Sequence, residues 1–346
     1  MTTANLFISG TITESWRAKL AHGFTIDYVD RSHLNANLGV DELRQRVANA
    51  HVLITELDEI DAQILDHASN LAAIVDCRAA VVNIDIKRAT ELGIAVMNTP
   101  GRNCEAVADL TVALMVMSLR KVETAMHNLR ANRWQELGKV QTYINHRGHE
   151  MPGKQIGLIG LGAVGRAVAK RLTGFDVQIL GYDPFVKAED LASLDIELVA
   201  LESLLRASDI VSLHAPVTAA TRSMIGTEAL NWMKPSSYLI NTARADLVDE
   251  SAMITALKEN VIAGAALDVF HEEPVELMNP LFAQPNVIAL PHIGGATYEV
   301  VEHQSRLAYS ALHGLLAGKP YNVVNQEAFS TAQARLGALG IELPSA

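Results

Sequence analysis

Short apolar runs of strand length alternate with segments of helical periodicity along almost the whole chain, and this alternation limits the possible folds more than any other feature. Residues 5–10 (NLFISG), 25–30 (TIDYVD), 51–56 (HVLITE), 71–76 (LAAIVD) and 93–98 (GIAVMN) form a first series. Between them lie stretches such as DELRQRVANA, with apolar residues at helical spacing. Strands separated by helices pair in parallel, because a parallel partner is reached only by a crossover, so an α/β layered fold is expected. Asn98-Thr99-Pro100-Gly101 interrupts the pattern with turn chemistry. From about Glu105 to Arg133 there is neither proline nor glycine, which predicts one long helix. Its first half is apolar nearly all round and should be buried against a second surface. Residues 136–153 show no periodicity and read as a loop.

A second series opens at QIGLIG (155–160) and continues through VQILGYD, IELVA, DIVSLHAP, SYLINTAR, VIAGAALDVF and NVIALPHI. A long helix from Thr297 to Lys319 follows, and VVN (323–325) is placed to return a last strand to the first series. The expected architecture is two Rossmann-like or flavodoxin-like parallel-sheet domains. One is discontinuous, residues 1–102 and 296–346, and residues 103–295 are inserted into it. The alanine-rich tail beyond Asn325 reads as a surface helix with a frayed end.

Composition narrows the partners. The 346 residues suffice for two domains, and 28 basic against 39 acidic side chains leave a net charge of −11. A nucleic-acid partner would need a basic face, so none is expected. The longest apolar stretch, Leu110 to Leu119, is about half a bilayer span, and MTTANLFISG lacks the basic-then-apolar order of a secretory signal. Cys77 and Cys104 have no second cysteine at ligand spacing, so neither a disulfide framework nor a metal site is expected. These features predict a cytoplasmic protein that handles small molecules and has no membrane partner.

Gly160-Leu161-Gly162-Ala163-Val164-Gly165 follows a predicted strand and opens a predicted helix. Such glycines allow a tight turn, close approach to a pyrophosphate and tight helix packing, with the phosphates at the helix N-terminus. The spacing alone is weak evidence. It is strengthened by Asp183, which ends the next strand 18 residues beyond the last glycine. An acidic side chain there accepts hydrogen bonds from ribose hydroxyls and repels a 2′-phosphate, so the expected cofactor is NAD. Arg244 in NTARAD, Asp268 and Glu273 in DVFHEEP, and His292 in LPHIGG all fall at or just past strand ends. Open α/β sheets bind ligands there. An arginine offers a two-pronged grip on a carboxylate, and a histidine beside a glutamate is an acid/base pair.

With these residues in view, LIGLGAVG, LHAPVTAATRSMI (213–225), NTARADLVDE, AALDVFHEEP and LPHIGGAT resemble the D-isomer-specific 2-hydroxyacid dehydrogenases. NTPGRNCEAVADL (98–110) is similar to the family's hinge segment, and the likeness spans roughly residues 50–325. The phosphoglycerate dehydrogenase branch looks nearest, without room for the regulatory domain some of its members carry. The resemblance implies a hydride transfer between a nicotinamide and C2 of a small 2-hydroxy or 2-oxo acid. It implies that Arg244 holds the substrate carboxylate, that His292 exchanges the proton of the C2 oxygen, and that Glu273 is the partner of His292. It further implies Gly160, Gly162, Ala163, Val164 and Gly165 at the pyrophosphate, Asp183 at the ribose, and Pro216 with Thr221 along the adenine and phosphate wall. Thr242, Ala243, Asp268, Gly294 and Gly295 would meet the nicotinamide end. A homodimer through the helix after the hinge is also implied.

Two departures stand out. Family members carry a Gly-x-Gly loop after the strand matching LAAIVD, with its amides toward the substrate carboxylate; here the loop reads Cys77-Arg78-Ala79-Ala80-Val81-Val82-Asn83. Arg78, Ala79 and Ala80 are thus the expected substrate-side residues. Arg78 would meet a second acid group, replace the missing amides at the C1 carboxylate, or point to solvent. The hinge-helix acid, usually glutamate, is Asp109, a change expected to alter packing more than chemistry. Two other functions fit the same fold: a non-catalytic, corepressor-like NAD(H) sensor, and a dehydrogenase of formate or phosphonate type.

Overall fold

The computed structural model describes residues 4–30 and 38–344. It divides into two compact units, one of residues up to Arg102 together with those from Thr297 on, the other Asn103–Ala296. The return crossing therefore lies after Ala296 rather than after Gly295.

The first unit is a five-stranded parallel sheet of β1 (Ala4–Ile8), β2 (Phe24–Tyr28), β3 (Val52–Thr55), β4 (Ala73–Asp76) and β5 (Ala95–Asn98), in the order β2-β1-β3-β4-β5. Every residue of β3 and β4 is buried, because helices cover both faces; such strands read as continuous apolar runs instead of alternating ones. Leu6, Ile8, Val52, Ile54, Ala73 and Val75 face α1 (Glu14–Leu20), α12 (Tyr298–Leu316) and α13 (Phe329–Gly337). Phe7, Leu53, Ile74 and Val96 face α2 (Val40–Ala48), α3 (Ala62–Asp66) and α4 (Ile86–Glu91).

Two expectations about the C-terminus are corrected. VVN forms only a single antiparallel bridge, Met97 to Val323, and not a strand. The buried Asn325 side chain takes over where a backbone ladder would continue. Its Oδ1 accepts from Val96 N at 2.7 Å, and its Nδ2 donates to Ile94 O at 2.9 Å. The tail is also not a surface appendage. Ala332 and Leu336 of α13 are wholly buried, and Tyr309 Oη donates to Pro344 O at 2.5 Å. Its last residues, Ser345 and Ala346, lie outside the described residues.

The second unit has seven parallel strands in the order β12-β11-β10-β9-β6-β7-β8. They are β6 (Gln155–Ile159), β7 (Gln178–Tyr182), β8 (Ile196–Leu198), β9 (Ile210–Leu213), β10 (Tyr238–Asn241), β11 (Gly264–Leu267) and β12 (Val287–Ala289). The order reverses at β6/β9, and open sheets of this kind take their ligand at such a switch point.

The expected long helix from Glu105 to Arg133 is broken. α5 (Cys104–Leu119) ends where the Leu119 carbonyl accepts from His149 N at 2.9 Å, and Lys121 adopts φ 52° before α6 (Val122–Arg130). The segment expected as a loop from 136 is largely helical: α7 spans Arg133–Asn145, with a kink at Gly138. None of its residues is buried, so no apolar stripe betrays it. α5 itself packs on β10, β11 and α8 (Ala163–Leu172). Arg171 on α8 binds Asp109 at 2.5 Å and Glu105 at 2.7 Å, which ties the two helices together by ion pairs. Among the described residues no helix is long and apolar enough to cross a membrane, and no cluster of His, Cys, Asp or Glu is arranged to hold a metal.

Candidate active site

The loop between β6 and α8 shows why glycine stands at three positions. Gly160 has φ 94°, and a Cβ there would come within 2.6 Å of Ala215 N. A Cβ on Gly165 would meet Gly160 O at 2.1 Å, so the helix can approach the turn only without it. At Gly162 nothing lies within 4 Å, leaving room for a ligand to approach the backbone at the start of α8. Asp183, just past β7, is anchored from both sides: Oδ2 accepts from Leu161 N and Oδ1 from Phe185 N, each at 2.9 Å. The loop and the acid that would meet a ribose thus form one hydrogen-bonded piece. This donor set fits a dinucleotide. His214 follows β9 beneath the same loop, and neither of its ring nitrogens has a hydrogen-bond partner. Burial lowers its pKa to about 4, so it is a neutral packing group.

The chemistry-bearing side chains come together at the carboxyl ends of β10, β11 and β12. Asn241, which ends β10, brackets the next turn: its Nδ2 donates to Arg244 O at 2.9 Å and its Oδ1 accepts from Ala243 N at 3.0 Å. This clamp leaves the Arg244 side chain exposed. Glu273 Oε1 accepts from Phe270 N at 3.0 Å, while Oε2 lies 2.6 Å from His292 Nδ1. Burial works to raise the Glu273 pKa, but the hydrogen bonds from His292 and Phe270 and the charge of Arg244 outweigh it, and the carboxyl lies below its ordinary value. An ionised carboxylate only accepts, so Nδ1 carries the hydrogen toward Glu273. His292 adopts φ 54°, which turns the chain out of the strand direction.

Asp268 follows β11 directly. It is 1% exposed, and its two oxygens accept from Ile293 N at 2.8 Å and Gly294 N at 2.7 Å. Burial raises its pKa against those two hydrogen bonds. Its carboxylate holds the loop that carries His292. Gly294 is buried over it, and a Cβ there would crowd Asp268 Oδ2 at 2.9 Å. Thr242 is 7% exposed, with its hydroxyl 2.8 Å from that of Thr111 on α5. Ala243 and Gly295 are half-buried, and Pro216 and Thr221 lie on an exposed turn closed by Thr221 Oγ1 donating to Pro216 O at 2.6 Å. Sequence reading missed the Asn241 clamp, although the asparagine lies three residues before Arg244 in the same motif.

In the first unit, Arg78 is half-buried and Ala79 and Ala80 are exposed at the carboxyl end of β4. Asn98 Nδ2 donates to Ala79 O at 2.7 Å, and Thr99 N donates to Arg78 O at 3.0 Å, which fixes the loop backbone.

The model of the D-isomer specific 2-hydroxyacid dehydrogenase NAD binding domain matches residues 112–294. A glyoxylate reductase of Thermofilum pendens is 42% identical over 83% of this chain and 85% of its own length. A D-3-phosphoglycerate dehydrogenase of Methanocaldococcus jannaschii is 35% identical over 91% of this chain and 59% of its own length. Among solved structures, an NADPH-dependent glyoxylate/hydroxypyruvate reductase of Sinorhizobium meliloti, in complex with NADP and malonate, superposes with a TM-score of 0.74. The two share 27% identity over 94% of this chain and 98% of that one. The glycine cradle, the strand-end residues and these likenesses agree, and the chain belongs to the D-isomer specific 2-hydroxyacid dehydrogenases, as a NAD-dependent enzyme of that family.

Proposed function

We propose that the protein interconverts a small 2-oxo acid and its D-2-hydroxy acid, with NAD(H) preferred over NADP(H). The contact that carries this reading is His292 Nδ1 on Glu273 at 2.6 Å, in the unit that also holds the dinucleotide cradle. Residues Gly160, Gly162, Ala163, Val164 and Gly165 would hold the pyrophosphate, Asp183 the adenosine ribose, and Pro216 with Thr221 the adenine side. Thr242, Ala243, Asp268, Gly294 and Gly295 would line the nicotinamide end, with Asp268 also holding the loop that carries His292. When bound, the cofactor supplies the hydride to C2.

The chain's own residues do the rest. Arg244 grips the C1 carboxylate and draws charge toward the C2 oxygen. His292 delivers a proton from Nε2 to that oxygen during reduction and takes it back during oxidation. Glu273 holds the ring in place. A pure NAD(H) sensor has no need of such a relay.

The direct test is a panel of 2-oxo acids, plain and phosphorylated, followed by NADH oxidation, with formate and phosphonate offered with NAD in the reverse direction. Turnover of 2-oxo acids is expected. Turnover of formate or phosphonate alone, or of nothing, would contradict the reading.

We also propose a homodimer, built on α6 and α7 rather than on α5, whose apolar surface is spent inside its own unit. Leu129 is 57% exposed, Trp134 53%, Val140 72% and Tyr143 74%, an apolar face bordering an open groove of about 620 Å³. Light scattering should give twice the chain mass. Trp134→Glu combined with Val140→Glu should give the monomer; a wild-type monomer at micromolar concentration would contradict the assignment.

A further inference from the structure

We propose that Thr111 and Asn241, both too buried to touch a ligand, are positioning residues that fix Arg244 relative to His292, with α5 as their common support. The inference rests on the reading of the protein as a 2-oxo acid reductase that uses those two side chains.

Arg244 and His292 stand on loops after different strands, β10 and β12, and both are exposed. A substrate gripped by one and protonated by the other requires the two to keep a set spacing. Exposed side chains do not keep it by their own packing, so the spacing has to come from what lies beneath them.

One continuous polar support runs there. Thr111, wholly buried on α5, donates its only hydroxyl hydrogen to Val107 O at 2.7 Å. Toward the Thr242 hydroxyl, 2.8 Å away, Thr111 can then only accept, so Thr242 is the donor and its hydrogen is spent on α5. Asn241, 1% exposed, closes the same turn from the other side through Ala243 N and Arg244 O. The guanidinium is tied to this turn as well, Nη1 donating to Ala243 O at 2.6 Å, so the charge moves with the backbone. Asn241 O accepts from Asp268 N at 3.0 Å, and the Asp268 carboxylate holds the amides of Ile293 and Gly294 next to His292.

α5 meets the His292 loop by packing too. A Cβ on Gly294 would come within 3.4 Å of Val107 Cγ2 and 3.9 Å of Leu110 Cδ2. Val107 and Thr111 lie one helical turn apart on one face of α5, so a single helix touches both the Arg244 turn and the His292 loop. A buried donor is costly to leave unmade, which makes this support stiff.

Thr111→Val keeps the shape and deletes the hydroxyl, leaving the buried Thr242 donor without its acceptor. The turn then shifts to satisfy it and carries Arg244 with it. The experiment measures kcat and KM for glyoxylate, and NADH affinity, in wild type, Thr111→Val, Thr111→Ser, Asn241→Asp and Arg244→Ala, and in Arg244→Ala combined with each of the first and third substitutions. Thr111→Val should lose about ten-fold in kcat/KM, mainly through a higher KM for the acid, with NADH affinity within about three-fold of wild type. Thr111→Ser, which keeps the hydroxyl, should stay within about two-fold. Asn241→Asp, isosteric but without the donor to Arg244 O, should lose about ten-fold or more. In the Arg244→Ala background both losses should shrink to about two-fold or less, because the group they act through is gone.

Full-sized losses in the Arg244→Ala background would overturn the proposal. So would wild-type kinetics in Thr111→Val, or a Thr111→Ser as impaired as Thr111→Val. Should Thr111→Val not fold, the Asn241→Asp cycle decides in the same way. If the wild type reduces no 2-oxo acid, it is the proposed function that fails, and amide hydrogen exchange still decides the support. The amides of Ala243, Ile293 and Gly294 should exchange about ten-fold faster in Thr111→Val than in wild type and Thr111→Ser. Unchanged exchange would overturn the proposal.

Discussion

Replacing His292 with alanine is expected to lower turnover by about 10²–10⁴-fold, because the C2 oxygen then has no positioned proton donor. NADH affinity should change little, since the cradle at Gly160–Gly165 and Asp183 is built from other loops. The companion variant Glu273→Gln keeps the shape and removes the charge. In the native site Glu273 Oε2 lies 2.6 Å from Nδ1 while Oε1 accepts from Phe270 N, so the carboxylate fixes the orientation of the ring. Glu273→Gln should lower turnover by about ten-fold or more with NADH affinity little changed, because the ring loses the acceptor that orients it. Steady-state turnover and NADH titration check this. Wild-type turnover in either variant would remove the relay.

The second large effect concerns the cofactor. NADH should be used with a kcat/KM about 10²-fold or more above that for NADPH, because Asp183 cannot retreat from a 2′-phosphate. Swinging its carboxylate away would break the hydrogen bonds from Leu161 N and Phe185 N together. Pro184, Phe185 and Val186, which follow it directly, carry no charge. Asp183→Ala should narrow the ratio mainly by reducing the discrimination against NADPH. Equal efficiency with both cofactors in the wild-type enzyme would sink the argument. The comparison has substance within this fold, since the Sinorhizobium meliloti reductase is described as NADPH-dependent.

What could be read in the sequence follows from which signals are local. Among the described residues the strands coincide with apolar runs because most of them are buried, β2 and β8 being the more exposed, and Gly160, Asp183, Arg244, Glu273 and His292 stand out because strand ends place ligand-binding groups at short intervals. The helix α7 was not legible because helical periodicity is visible only when one face is buried, and none of its side chains is. The break after Leu119 depended on a hydrogen bond from His149, thirty residues away. The tail read as a surface helix because alanine gives no strong signal, yet Ala332 closes the core beside Leu336.

The central claim, that a hydride passes between the nicotinamide and C2 of a 2-oxo acid held by Arg244 and His292, is tested most directly by isotope transfer. The protein is incubated with NADH carrying deuterium on both C4 positions and with pyruvate, and the product is resolved on a chiral column and weighed by mass spectrometry. The account predicts lactate of D configuration with a single deuterium at C2. Recovery of unlabelled pyruvate, unlabelled lactate, or labelled L-lactate would contradict it.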